Sequence, residues 1–166
     1  MINPELYSAA EAVVDILKEK NLTLSVAESC TGGMVSCYLT EISGVSKVFP
    51  LGITSYTCEI KNEVLGVCWE TLEKYGAVSN ATAKEMAEKV LVKGKTDIGA
   101  SVTGVAGPES SEGHPAGYVF IAVSGEKGTK VNLLNIEPLN RNFVREQAVL
   151  SLFELIKNYA KELKNE

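Results

Sequence analysis

Between Leu22 and Ile42 the chain changes its pattern once, across Ala27-Glu28-Ser29-Cys30-Thr31-Gly32-Gly33. Leu22 to Val26 is a short apolar run that reads as a buried strand, and Met34 to Ile42 reads as a helix. A strand that turns directly into a helix through small residues and two glycines points to a layered α/β domain. The same turn exposes Ser29 beside a helix N-terminus, where free backbone N–H groups can hold an anion or an oxyanion.

The rest of the chain extends this pattern. Asn3-Pro4 reads as an N-cap with proline in the first turn, followed by Leu6, Ala9, Ala10, Val13 and Leu17 at helical spacing. The first strand covers Leu22 to Ala27 and the second helix about Gly32 to Ile42, with Ser43-Gly44 ending it. Leu51 to Thr57 is a second strand. Short helices follow at Glu59 to Val67 and Glu70 to Tyr75. Ser79 or Thr82 caps the next helix, Thr82 with Glu85 making a capping box, and Gly94 closes it. Asp97 to Thr103 is the third strand, and a Gly-, Pro- and Ser-rich loop runs from Gly104 to Ala116. Tyr118 to Val123 and Lys130 to Ile136 form a hairpin around Gly125 and Gly128, and a last helix spans about Leu139 to Leu163. Early alternation and a late hairpin predict one domain over 1–166, an α/β/α three-layer sandwich with a mixed, mostly parallel sheet.

Composition narrows the function. The net charge of −5 gives no global basic field for nucleic acid. No apolar run approaches the roughly 20 residues of a membrane span, and the first residues have no signal-peptide pattern, so a cytoplasmic location is expected. Cys30, Cys37, Cys58 and Cys68 form no C-x-x-C pair and the chain has one histidine, so reduced thiols are expected rather than a zinc site.

Ser29 is the leading nucleophile, with a helix cap as its structural alternative, and Cys30 is the rival. A serine triad must use His114, which sits among glycine and proline in the long loop. A lysine becomes a base when burial lowers its pKa. Spacing does not single out Lys61 among 14 lysines. The two arginines, Arg141 and Arg145, share one face of the last helix. They read as an anion clamp or, alternatively, as a salt bridge to a residue such as Glu28. Thr103-Gly104-Val105-Ala106-Gly107-Pro108 follows the third strand as a binding loop, but no dinucleotide or P-loop fingerprint is present, so no NAD cofactor or ATPase is expected.

Ala27 to Gly33, Tyr56 with Lys61, Leu65-Gly66-Val67, Gly76-Ala77-Val78-Ser79, Thr103 to Pro108 and Arg141-x-x-x-Arg145 together resemble the CinA C-terminal family. The resemblance implies a nicotinamide mononucleotide deamidase of pyridine nucleotide salvage, without metal or cofactor, acting on a small molecule and assembling as a homo-oligomer. It does not imply a nucleic-acid or membrane partner. It implies Ser29 as nucleophile, Lys61 as base and Tyr56 orienting the lysine or the amide. Cys30, Thr31, Gly32, Gly33, Thr103 and Gly104 would line the substrate or oxyanion site, and Arg145, with Arg141, would hold the 5′-phosphate. Larger relatives carry an added pyrophosphatase domain for which this chain is too short. The loop Glu109 to Gly117 departs from the family. It lacks the glycine pair, and it has His114 for lysine, Ala116 for valine and extra acids at Glu109 and Glu112. Leu51-Gly52 also replaces the usual glycine pair before the second strand.

Overall fold

The computed structural model describes residues 3–163. Helix α1 (Pro4–Lys20) opens on Asn3, whose side chain accepts from the Glu5 amide, and ends at Asn21 in a left-handed conformation. The Leu22 amide still bonds back to Leu17 O, so strand β1 (Leu24–Glu28) begins two residues later than the apolar run suggests. Helix α2 (Met34–Thr40) starts later than the expected Gly32, because Gly32 and Gly33 both hold positive φ and cannot belong to the helix. Strand β2 (Leu51–Thr54) is cut short where the Ser55 amide turns to Glu28 O.

Helix α3 (Cys58–Ile60) runs into one π-turn, Lys61–Leu65, in which Lys61 O accepts from the amides of both Gly66 and Val67. Helices α4 (Trp69–Tyr75) and α5 (Asn80–Gly94) follow. Ser79 caps α5. Thr82 Oγ1 donates to Gly76 O, and Glu85 accepts from the Cys68 amide, so the Thr82–Glu85 capping box does not form. Strand β3 (Ile98–Gly104), strands β4 (Tyr118–Gly125) and β5 (Gly128–Asn135), and helix α6 (Arg141–Glu162) complete the order.

The strands lie in the order β2-β1-β3-β4-β5. Pairs β1–β2 and β1–β3 are parallel, whereas β3–β4 and β4–β5 are antiparallel. The sheet is therefore mixed as expected: β4 alone runs against the others, and antiparallel pairs are as many as parallel ones. Side chains alternate across it. Ile98, Ala100 and Val102 with Val119, Ile121 and Val123 face a core closed by α1, α2 and α6. The opposite face packs on α5, against which Phe120 and Ala122 are buried. Gly99 lets α5 close on the sheet, since a Cβ there would lie 2.2 Å from Ala87 O. The two faces make the three-layer sandwich. The chain leaves β1 toward one face and β2 toward the other, which opens a crevice at the carboxyl ends of the parallel strands.

Candidate active site

A cavity of about 630 Å³ occupies that crevice. Ser29 and Cys30 enter it from the end of β1, Tyr56, Cys58 and Lys61 from the segment after β2, and Thr103 to Glu112 from the end of β3. Ala77 and Val78 line one wall, and Arg141 reaches in from the first turn of α6.

Lys61 is among the largest fully buried side chains, at 1 % exposure. Its Nζ lies 2.9 Å from Ser29 Oγ and donates to Ser55 O at 2.7 Å. Among the described residues no carboxylate forms an ion pair with it. Burial therefore acts with little compensation, and it holds the amine below the ordinary lysine pKa of 10.5. Burial pushes the neighbouring Cys30 thiol the other way, up to about 12, which keeps it a protonated, weak nucleophile. His114 does not line the cavity. Its ring stacks on Tyr118 at 4.3 Å, so this histidine is not the partner of Ser29.

The turn around Ser29 is held by a residue that the sequence reading weighed only as a salt-bridge partner. Glu28 is completely buried, and its carboxylate accepts from the amides of Gly33, Val35 and Ser36 and from the hydroxyls of Thr31 and Ser36, at 2.7 to 3.0 Å. It caps α2 from within the chain. Three of the N–H groups expected to face an anion are thus already occupied, and Gly32 N bonds to Ser29 O. The amides of Cys30 and Thr31 donate to no backbone carbonyl among the described residues. Thr31, Gly32 and Gly33 shape the turn and do not line the cavity.

Arg145 is likewise outside the cavity lining. Its Nη2 donates to Thr31 O at 2.7 Å, so it grips the turn after Ser29 and does not pair with Glu28. Arg141 does line the cavity: Nη1 donates to Gly107 O and Nη2 to Tyr56 Oη at 3.1 Å. Tyr56 therefore meets Arg141, and the lysine is oriented by the Ser55 carbonyl, a backbone group that gives no sequence signal. Thr103 Oγ1 donates to Ala77 O at 2.8 Å, which ties two walls together. Gly104 is required by close packing, since a Cβ there would lie 2.7 Å from Val119. In the departing loop, Glu112 accepts from the Ala77 and Val78 amides at 3.2 and 3.0 Å. Among the described residues no cluster of His, Cys, Asp and Glu is placed to hold a metal ion.

Fold and site together define an α/β protein with a serine hydroxyl against a buried lysine amine in a crevice at the strand ends. The chain belongs to the CinA family: the model of the CinA C-terminal domain matches residues 6–160. A competence-damage inducible protein of Acetivibrio thermocellus is 48 % identical over 159 residues, 95 % of this chain. The chain spans only 37 % of that relative's length. The crystal structure of the competence/damage inducible protein CihA from Agrobacterium tumefaciens superposes with a TM-score of 0.91 at 32 % identity, covering 98 % of this chain and 99 % of that one. Competence damage-inducible protein A (ComA) of Klebsiella pneumoniae gives 0.92 at 29 % identity, covering 96 % and 99 %.

Proposed function

We propose that this domain hydrolyses the carboxamide of nicotinamide mononucleotide to nicotinic acid mononucleotide and ammonia, a step of pyridine nucleotide salvage. The observation that carries the reading is the 2.9 Å approach of Lys61 Nζ to Ser29 Oγ, with the amine buried and free of a carboxylate partner among the described residues. A neutral amine at that distance accepts the hydroxyl proton as Oγ attacks the amide carbon. The Cys30 amide, next after the nucleophile, and the Thr31 amide are the donors left for the oxyanion. The protonated Lys61 then gives its proton to the departing ammonia. Water then gives a proton to the same amine and attacks the Ser29 ester; the acyl–Oγ bond breaks, Lys61 returns the proton to Ser29 Oγ, and the acid leaves as its carboxylate, its own proton going to solvent. Arg141, without a carboxylate partner among the described residues, would receive the 5′-phosphate.

The test is ammonia release from nicotinamide mononucleotide by the purified protein, with EDTA present and Ser29→Ala as control. Release that depends on Ser29, with nicotinic acid mononucleotide as product, is expected. Binding without release would replace the reading with a pyridine-nucleotide binding module. Full activity in Ser29→Ala would remove the nucleophile assignment.

A further inference from the structure

The segment between α4 and α5 forms the cavity wall beside Ser29, and hydrogen bonds place it there. The Ser29 amide donates to Val102 O at 3.0 Å, and the next residue of β3, Thr103, donates through Oγ1 to Ala77 O at 2.8 Å. Gly76 O accepts from the Thr82 hydroxyl at 2.6 Å. The amides of Ala77 and Val78 both go to one side chain. Glu112 accepts Ala77 N on Oε1 at 3.2 Å and Val78 N on Oε2 at 3.0 Å. Gly76 leaves it room, since a Cβ there would lie 2.6 Å from Glu112 Oε2. Glu112 reaches the wall from a left-handed backbone, φ 51°, in a turn closed by mutual backbone bonds of Ser111 and His114 at 3.0 and 2.9 Å. A residue with a side chain adopts that conformation at a cost, and it persists where surrounding contacts over-determine it.

We propose that Glu112 is a positioning residue for the reaction at Ser29: its carboxylate latches the loop after β3 onto the Ala77–Val78 wall and fixes that wall beside the nucleophile. This role rests on the amidohydrolase reading of the site. The acyl carbon must come within bonding reach of Ser29 Oγ, so a wall tied to Thr103 bears on that end of a ligand, whether or not the ligand carries a phosphate. The charge of the latch acts on Lys61, which lines the same cavity. Burial lowers the Lys61 pKa, and Cys58, Cys30 and Glu112 oppose it. Both thiols are themselves pushed up by burial, so at neutral pH the carboxylate is the one of the three that carries charge. Tyr56, Glu109 and Arg141 complete the titratable and charged groups of the lining. Glu112 is exposed, and water limits its pull on the Lys61 proton to about two- to threefold.

Three measurements on the whole protein separate the latch from its charge. Amide hydrogen exchange should speed up about tenfold at Ala77 and Val78 in Glu112→Ala, with Met86 and Val90 inside α5 unchanged. The Lys61 amine, followed by NMR and assigned by its loss in Lys61→Met, should titrate at lower pH in Glu112→Gln and Glu112→Ala alike. The acid limb of kcat/KM should move with it, raising the rate there about two- to threefold relative to each variant's own plateau. At the plateau, kcat should fall by one factor for nicotinamide mononucleotide and its unphosphorylated nucleoside, about tenfold in Glu112→Ala and less in Glu112→Gln, which keeps one acceptor for the wall. Unchanged exchange at both amides would overturn the proposal, as would a kcat loss with the Lys61 titration unmoved. A rise in KM confined to the phosphorylated substrate would overturn it too, by placing the wall at the phosphate. Exchange and the NMR titration need no turnover. If the unmodified protein releases no ammonia, the amidohydrolase reading fails while those two still decide whether the latch exists.

Discussion

A lysine amine that leaves water without gaining a carboxylate holds its proton weakly, and Lys61 is in that position. Two consequences can be checked. In the proposed reaction the neutral amine is the reactive form, so kcat/KM should rise with pH through the lowered Lys61 pKa and level off above it. Stability should follow the same group. The unfolded chain binds the proton more tightly than the fold does, so the penalty is fully present below the folded pKa. It is relieved as pH rises toward the unfolded value. Lys61→Met should remove turnover by about 10²- to 10⁴-fold. It should also leave the thermal midpoint at neutral pH equal or higher and flatten its alkaline rise. A midpoint that falls sharply with the same pH slope would show that the amine is charged and stabilising. The sequence could not single out this residue among the other lysines, because what sets it apart is burial. Cys30 shows the converse: its position beside Ser29 suggested a nucleophile, and burial makes it a poor one.

Among the elements, the strand–turn–helix unit was the most legible, and its internal bracing the least. A short apolar run marked β1 to within two residues, and Asn3-Pro4 fixed the start of α1, because apolar runs and capping act locally. Glu28 was hidden because it ends a strand in sequence yet serves as the cap of the following helix, across two glycines with positive φ. The π-turn at Lys61–Leu65 was read as an ordinary helix, because its i to i+5 bonding has no composition signature. Glu28→Gln keeps the shape but turns an NH₂ toward groups that all donate. It should cost on the order of 2–4 kcal/mol in denaturant unfolding. Thr31→Val removes one of the five donors and should cost about 1 kcal/mol. A loss no larger in Glu28→Gln than in Thr31→Val would mean that the carboxylate is not the brace of this turn.

In the whole molecule, the cavity is assembled from three strand ends and completed by the first turn of a helix that packs on α1 far along the chain. Sequence order brought the two arginines together on that helix, but its register against the sheet separates them. Arg141 points into the cavity and Arg145 grips Thr31 O behind it. The four-residue spacing predicted a shared face correctly and could not say how deep each side chain lies, because that depends on where α6 crosses the strand ends. The division has a kinetic signature. If Arg141 receives the phosphate as proposed, Arg141→Ala should raise KM for nicotinamide mononucleotide on the order of 10- to 100-fold, with little change for the unphosphorylated nucleoside. Arg145→Ala instead frees the carbonyl of the turn that carries the Cys30 and Thr31 amides. It should lower kcat for both substrates alike and leave the ratio of their KM values unchanged. Steady-state kinetics on the matched pair separates the two roles. A phosphate-selective rise in KM for Arg145→Ala would return that residue to the anion site and require α6 to rotate when substrate binds.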